Sequence, residues 1–595
     1  MGASMQSVYK PWGHERWLEL NEFYCLKEIF IRSGHRTSLQ FHRVKTETNL
    51  VVSGQGVFLI DDESRRVGPG DFSTIYPGQV HRVIALSDLV LHEVSTPDVD
   101  DVVRLEDDTN RPDDLIGSEH SRPALCLLCA GMGSRMGSLT AKTNKVLLPL
   151  GGRAIISDLV DAVPDDFDVV VALGWQGDQV RSYLLSAHPG RSFAFVGVED
   201  FSSVSSGPGV SLRSCAPYLR RPFVWAVGDC VLPDGIPPLD GNWIGVHRTS
   251  IPELYSTVRV VDGIVTEFSD KSVDGFDQAF VGVAGIHDFE TFWSLLTDSE
   301  AITPFLSPSA FSSPLRARQV PWLDAGTVEG YERAMGSMPV GEPLSLEKVS
   351  GSMTYRSHGR VVKLFEDPSE CGDRVERQKV LSSFLPGMVP PVHPQGESIF
   401  WYDWVPGSTL YDCSLAEQQE FVRLMHERVW KPSTPLGFAF VQTKLATRFP
   451  GGYPSAVAEM LKTLPIELLD NGLFSPGFHG DLQFDNVVKA ENGFVLIDWR
   501  GRYDTTNGGD VYYDMAKLLG GALIDYSAIR RGVPSEPLSD FVDWYLSFLQ
   551  DAGFSLEKIW IHVILVWATM SPLHPGPFGD LLIESARNIH KEMGL

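Results

Sequence analysis

Three groups of residues have the types and spacing to do chemistry. The densest is Phe478-His479-Gly480-Asp481-Leu482-Gln483-Phe484-Asp485-Asn486, followed by Val495-Leu496-Ile497-Asp498-Trp499. An Asp five residues ahead of an Asn offers a base or orienter for a hydroxyl together with a metal ligand, and a second Asp completes the metal site, which is a kit for phosphoryl transfer. The second group is Gly131-Met132-Gly133-Ser134-Arg135-Met136-Gly137, issuing from an apolar run and followed by Lys145 in Thr143-Asn144-Lys145-Val146-Leu147-Leu148-Pro149. Gly131 and Gly133 permit close backbone approach to phosphates, while Arg135 and Lys145 can offset the charge that develops as pyrophosphate leaves. With no GKS or GKT, this is neither a Walker loop nor a dinucleotide fingerprint. The third group is Gln40 and His42, which face the same way on an extended strand, with Glu47 just beyond and His81 on a later strand. Together they form a mixed nitrogen and oxygen set suited to a divalent ion.

These groups need elements to hold them, and 595 residues at about 100–200 per domain predict several folding units. Residues 1–111 show short β-rich runs such as NLVVSGQGVFLI between turns such as VGPGD and YPGQ, which predicts an all-β barrel or sandwich. An acidic linker, EDDTNRPDDLIGSEHSRP, runs from Glu106 to Pro123. Over 123–336, strand-like runs (ALCLLCAG, DVVVALG, PFVWAVGD) alternate with helical segments such as AIISDLVDAV, which predicts a mostly parallel α/β sheet. After SMPVGEPLS, at 337–345, residues 346–595 read as α+β, with a short β portion before helical patterns such as LAEQQEFVRLMHERV. Cys126 and Cys129 form a CxxC inside the apolar run LCLLCAG, where a core reading outweighs a redox or zinc one.

The first segment resembles the cupin domain of type II mannose-6-phosphate isomerases. The resemblance rests on Lys10-Pro11-Trp12-Gly13, Ser38-Leu39-Gln40 with His42 and Glu47, Val52-Ser53-Gly54, the Pro-Gly turn before His81, and Asp100-Asp101-Val102-Val103-Arg104. It implies a divalent metal such as Zn²⁺ or Mn²⁺ on Gln40, His42, Glu47 and His81, with Arg104 handling substrate in aldose-ketose isomerisation. Lys45 stands where the family usually has Arg, and Thr48-Asn49 where it has His-Trp.

The second segment resembles sugar-phosphate and alcohol-phosphate nucleotidyltransferases, whose fold is a Rossmann-like, GT-A-like α/β sheet. Besides the glycine loop it carries Gly228-Asp229 after PFVWAV and Trp322-Leu323-Asp324-Ala325-Gly326-Thr327. The resemblance implies Mg²⁺ on Asp229 and Asp324, and it places Ser205 to Leu212 near the nucleotide or sugar. The third segment resembles the aminoglycoside-phosphotransferase and choline-kinase group, with a protein-kinase-like fold. That implies Asp481 as catalytic acid or base, Asn486 and Asp498 as Mg²⁺ ligands, Lys363 on the ATP phosphates and Glu376 as its helix partner, with a reduced glycine loop at Ser350 to Thr354. Phe400 to Trp404 is the expected hinge, its aromatics either stacking on adenine or packing against the neighbouring lobe.

Kinase, isomerase and nucleotidyltransferase form a pathway to a nucleotide-activated sugar or polyol for a surface polysaccharide, using ATP and an NTP, with CTP favoured. The alternatives are a chain in which only the nucleotidyltransferase turns over, and a non-enzymatic sugar-nucleotide sensor. With 50 Lys+Arg against 76 Asp+Glu, a formal charge of -26 excludes a general nucleic-acid or anionic-lipid partner. A 43% hydrophobic, 21% charged composition excludes wholesale disorder. Ile559 to Met570 is apolar but too short to span a membrane, so it reads as a buried helix. Seven scattered cysteines and the absence of an N-terminal apolar run predict a cytoplasmic protein. A homodimer through the cupin is the expected assembly.

Overall fold

The computed structural model describes residues 6 to 594 apart from 11, 62, 100, 107–122, 166, 192, 199–200, 202–206, 220, 271–275, 277, 298–300, 338–350, 432–433, 437–448, 450–451, 502–506, 527–528, 530–534 and 575. Both linkers, Pro11, Asp100, Ser205, Ser206 and Ser350 therefore lie wholly or largely outside the described residues. The chain divides into two compact units, Met1–Pro339 and Val340–Leu595, so the first two segments read from the sequence share one unit.

The first unit opens with two antiparallel sheets of six and five strands around Trp12, Ile29, Ile31, Val51, Phe58 and Leu91. Cys25–Ile31 alternates buried and half-buried positions, the period-2 pattern of a strand with one face on a core. In the five-stranded sheet Leu39–Phe41 lies between Val103–Glu106 and His81–Ala85, with Gln40 opposite both Arg104 and His81. Glu47 begins a strand of the other sheet and is buried. Gly54 has φ 87° and a Cβ there would stand 2.0 Å from Asp88 O, so the turn after that strand requires glycine.

The rest of this unit is built on a nine-stranded sheet. Its order is Phe193–Gly197, Asp168–Leu173, Ala124–Cys129, Phe223–Val227, Gln278–Ile286, Trp243–Arg248, Arg316–Gln319, Ile264–Asp270 and Ser256–Val261. The first four strands are parallel, and Ala124–Cys129 between its neighbours is buried at every position. The remainder is largely antiparallel, which corrects the mostly parallel expectation. One cause is local: Asp262-Gly263, both with positive φ, closes a two-residue hairpin between Ser256–Val261 and Ile264–Asp270. Cys126 and Cys129 are both buried and free, and burial pushes both thiols up, as inert core cysteines require.

The second unit starts with a four-stranded antiparallel sheet in the order Ser352–Ser357, Arg360–Phe365, Ile399–Asp403, His393–Pro394, beside helix Pro368–Phe384. Helices Leu415–Arg428, Val511–Leu523, Ser539–Asp551, Leu556–Met570 and Pro577–Glu592 follow, with the hairpin Val487–Ala490 and Gly493–Leu496. Ser414 and Glu417 form a reciprocal capping box that starts Leu415–Arg428. Helix Leu556–Met570 is buried from Ile559 to Thr569, apart from Trp560. Among the described residues no helix is long and apolar enough to cross a membrane.

Candidate active sites

The glycine loop follows the central strand Ala124–Cys129, and Gly133 needs its positive φ of 65° to turn into the short helix Ser134–Thr140. Asn144 fixes the next turn, donating to Cys129 O at 2.9 Å and Trp175 O at 2.6 Å, and Lys145 follows directly. Lys145 Nζ reaches Asp229 Oδ2 at 2.5 Å. Asp229 and Asp324 meet because Cys230–Val231 pairs with Leu323–Asp324, placing Cys230 opposite Asp324. Asp324 also accepts from Tyr255 Oη at 3.2 Å and from Gly326 N at 2.9 Å. At Gly326 a Cβ would lie 3.0 Å from Asp324 Oδ1, 3.1 Å from Asp229 Oδ2 and 3.4 Å from Arg135 Nη2. Arg135, Asp229 and Asp324 thus line a single notch, with Lys145 beside it. Burial alone would raise the Asp229 carboxyl, but Lys145, with Arg135 behind it, holds it below the usual carboxylate range. Two carboxylates around a glycine-sized space are a fitting donor set for Mg²⁺.

In the second unit, Lys363 from strand Arg360–Phe365 meets Asp498 at 2.5 Å. Asp498 is held at φ 61°, a conformation that a non-glycine residue adopts at a cost. Burial opposes its charge, yet Lys363 and Arg374 keep it below the usual range. Burial pushes the Lys363 ammonium down, and Asp498 opposes that. Asp481 pairs with Lys517 at 2.7 Å; burial would raise its carboxyl, but Lys517 and Arg500 drive it well down. Asn486 Nδ2 donates to Asp481 O at 2.8 Å, which leaves Oδ1 as its atom for a cation. The loop itself hangs from Asp514, whose two oxygens accept from His479 N at 2.7 Å and Gly480 N at 2.8 Å. His479 is fully buried and burial pushes its imidazole down to about 4, so it is neutral. Its Nδ1 accepts from Asp481 N at 3.3 Å and its Nε2 donates to Ile497 O at 3.1 Å, tying the two acidic loops together.

Glu376 is not brought to Lys363. It pairs with Lys379 at 2.6 Å on the exposed side of the helix, with 60% of its side chain exposed, and Arg374 is the residue that faces inward. The physical reason is helical phase: positions 374 and 377 share a face, and 376 points elsewhere. In the expected hinge the structure shows packing contacts. Phe400 packs on Phe365 and Trp499, Tyr402 on Trp499, and Trp401 stacks between His393 and Arg360, so these rings are engaged by the unit's own side chains.

In the β-rich part, Glu47 Oε2 lies 3.3 Å from His42 Nε2 and Glu47 Oε1 lies 3.4 Å from His81 Nε2. Ligand atoms of His42, Glu47 and His81 all fall within 4.8 Å of one another. The other ring nitrogens are committed, His42 Nδ1 to Asp101 O and His81 Nδ1 to Gln79 O at 3.1 Å. Both Nε2 atoms face Glu47 and are the ring nitrogens left for a cation, and the buried His42 Nε2 makes no hydrogen bond of its own. These residues fit a divalent ion. Gln40 presents Nε2 to His81 at 3.4 Å and receives Ser38 Oγ on Oε1 at 2.7 Å, so serving as an oxygen ligand requires turning its amide. The site floors a cavity of about 310 Å³ that Lys10, Lys27, Glu93 and Arg104 also line. Lys45 is buried there, at 2.5 Å from Glu47 and 2.9 Å from Glu93. Burial would lower its ammonium, but Glu93 and Glu47 raise it. Glu47, which burial would raise, is held well down by His42, His81 and Lys45.

Reading by motif passes over Arg374, Lys517 and Tyr255. The signal for Lys517 is its i, i+3 spacing from Asp514 on a helix, which puts both on one face. Tyr255 has no local signal, since its partner Asp324 comes from a distant strand.

Two family models match parts of the chain: mannose-6-phosphate isomerase C-terminal over residues 2–107, and MobA-like NTP transferase domain over residues 125–236. The chain is 31% identical over 107 residues to mannose-1-phosphate guanylyltransferase ManC of Salmonella typhimurium, covering 17% of this chain and 22% of that protein. It is 31% identical over 105 residues to alginate biosynthesis protein AlgA of Pseudomonas aeruginosa, again covering 17% and 22%. The chain thus spans about a fifth of the length of the curated relatives it matches. Among solved structures it is similar to the inositol-1-phosphate CTP transferase from T. maritima, at 17% identity and TM-score 0.31, covering 36% of this chain and 96% of that one. It is also similar to CTP:phosphocholine cytidylyltransferase from Streptococcus pneumoniae, at 15% identity and TM-score 0.32, covering 36% and 98%. The chain is multidomain, with a mannose-6-phosphate isomerase-type segment followed by an NTP transferase-type segment.

Proposed function

We propose that this chain makes a nucleotide-activated sugar or polyol, with nucleotidyl transfer to a sugar or polyol phosphate as its central reaction. The observation that carries the reading is the notch at Gly326, where Arg135, Asp229 and Asp324 converge beside Lys145. Asp229 and Asp324 would hold Mg²⁺, whose contribution there is to neutralise charge at the α-phosphate. The Gly131 to Gly133 turn would seat the triphosphate. Arg135 and Lys145 would then bind the departing pyrophosphate, Lys145 exchanging Asp229 for phosphate oxygens. CTP is the proposed nucleotide, from the pairing of a kinase with a nucleotidyltransferase; GTP is the competitor, because matched relatives are guanylyltransferases.

In the second unit, the convergence of Lys363, Asp498, Asp481 and Asn486 supports ATP-dependent phosphorylation of the free alcohol on a kinase-like fold. Asp481 would accept or orient the acceptor hydroxyl, Lys363 would bind ATP phosphate, and Asn486 with Asp498 would hold Mg²⁺. In the cavity of the first unit, Gln40, His42, Glu47 and His81 would hold a divalent ion that polarises a carbonyl. Arg104 would bind the phosphorylated substrate of an aldose-ketose isomerisation. A role in surface polysaccharide synthesis accords with relatives named for alginate and xanthan biosynthesis.

The test is mass spectrometry of reactions containing protein, Mg²⁺, ATP, each NTP and a panel of sugars, polyols and their phosphates. The reading expects an NDP-linked product, formed from a free alcohol only when ATP is present. Pyrophosphate release from preformed phosphates without phosphorylation of any alcohol would reduce the second unit to a binding module. No nucleotidyl transfer from any NTP would overturn the reading.

A further inference from the structure

Helix Pro368–Phe384 carries two arginines one turn apart that grip both acidic loops of the second unit. Arg374 Nη1 donates to Asp498 Oδ1 at 3.2 Å and to Trp499 O at 2.5 Å, and Trp499 Nε1 returns a bond to Arg374 O at 2.9 Å. Glu370, one turn earlier, steadies Arg374 through Nη2 at 3.0 Å. Arg377 is 1% exposed. Its Nη1 donates to Pro476 O and to Asn507 O, each at 2.9 Å, and its Nη2 donates to Phe478 O, the residue before His479-Gly480-Asp481.

A guanidinium is expensive to bury, and among the described residues no carboxylate hydrogen-bonds to it. Burial pushes Arg377 down to about 10, with the charge of Asp514 opposing, so it stays protonated at neutral pH. Lone carbonyls could be satisfied by a neutral amide. What a planar fork with five donors adds is a fixed angle among several acceptors at once. The carbonyls it gathers flank the loop bearing Asp481, while Arg374 holds the loop bearing Asp498. Gly501 adds a steric contact to the same helix, since a Cβ there would lie 3.1 Å from Asp373 Cβ.

Resting on the phosphoryl-transfer reading above, we propose that Arg374 and Arg377 are positioning residues that set Asp498 and Asp481 against each other, so that this helix acts as one clamp on both loops. The clamp replaces the Lys–Glu pairing expected for Lys363 and Glu376. Neither arginine needs to touch the acceptor. Their loss disturbs the relative placement of two acids more than the binding of ATP.

The test uses the full chain with Arg377→Met, Arg377→Lys and Arg374→Lys, read by steady-state phosphorylation and by hydrogen exchange. Arg377→Met is expected to lower kcat about 100-fold with KM for ATP within about threefold, the signature of a misplaced catalytic group. Arg377→Lys, keeping the charge but losing the fork, should recover part of that loss. Arg374→Lys should raise the Mg²⁺ concentration for half-maximal rate, because its contact is Asp498. Far-ultraviolet circular dichroism and the denaturant midpoint of the second unit check that each variant is folded. A kcat within threefold of wild type for Arg377→Met, or a KM effect exceeding the kcat effect, overturns the clamp. Absence of phosphorylation by the wild-type chain would count against the functional reading alone. The clamp is then decided by exchange: Arg377→Met must speed exchange in both 478–481 and 497–501, and loosening of only one segment overturns it. If Arg377→Met does not fold, the same kinetic and exchange criteria apply to Arg377→Lys.

Discussion

Replacing Gly326 by alanine tests the notch most sharply, because the change is one methyl group. Gly326 is outside the left-handed region, so its backbone accepts alanine. The methyl carbon would stand 3.0 Å from Asp324 Oδ1, 3.1 Å from Asp229 Oδ2 and 3.4 Å from Arg135 Nη2, and the first two contacts oblige the acids to shift by a few tenths of an ångström. Mg²⁺ demands near-ideal geometry at about 2.0–2.1 Å, and productive placement tolerates about 0.5 Å. A loss of about 100-fold in kcat/KM for pyrophosphate release follows, equivalent to about 2.7 kcal/mol of transition-state stabilisation. Restricting the unfolded chain offsets part of the contact strain, so the melting midpoint should move by no more than about 4 °C. The assay is pyrophosphate release from NTP and a phosphorylated acceptor, with ATP-dependent phosphorylation as internal control. Release within threefold of wild type would show that the space between Asp229 and Asp324 is not where the reaction is held.

Further outcomes follow from the other clusters. Glu47→Gln should cost the β-rich part bound divalent metal, read by elemental analysis of the purified chain, and should lower the melting point because Lys45 is left with Glu93 as its buried carboxylate partner; full metal content would contradict the ligand set. Lys145→Met leaves Asp229 without its partner and should reduce nucleotidyl transfer by about 100-fold or more while sparing phosphorylation, measured on one sample. His479 is pushed down to about 4 in the folded chain, so between the ordinary imidazole value and pH 4 the unfolded state binds a proton that the folded state does not. The His479 contribution to the stability of the second unit should therefore fall by about 3 kcal/mol as pH drops from about 6.5 to 4, while Asp514, which burial pushes up to about 7, contributes in the opposite sense over the same range. The difference in denaturant midpoint between wild type and His479→Gln across that range isolates the His479 contribution, and a difference that does not change with pH would contradict it.

The sequence made the chemical groups legible because each rests on local spacing: a loop after a strand, an Asp five residues before an Asn, a Gln and a His on one face. Relations across the fold were less so. Asp229 meets Asp324 through the pairing of two short strands far apart in the chain. The kinase-group resemblance implied Glu376 as the partner of Lys363, yet helical phase turns it outward and brings Arg374 in. The mixed direction of the nine-stranded sheet was hidden because a buried antiparallel strand such as Gln278–Ile286 is as uniformly apolar as a parallel one. Aromatic residues at Phe400 to Trp404 carry no local sign of which neighbours their rings meet; those contacts, such as Trp401 on His393 and Phe400 on Trp499, come from other elements.

The central claim is that one chain holds nucleotidyl transfer and phosphoryl transfer at separate sites, and a paired measurement on Asp229→Asn and Asp481→Asn addresses it directly. Each variant is given ATP, NTP, and either a free alcohol or its phosphate, with both pyrophosphate and ADP quantified. The account predicts that Asp229→Asn forms ADP but no pyrophosphate, and that Asp481→Asn forms pyrophosphate from the preformed phosphate but no ADP from the alcohol. Loss of both products in either folded variant, or retention of both, would contradict it.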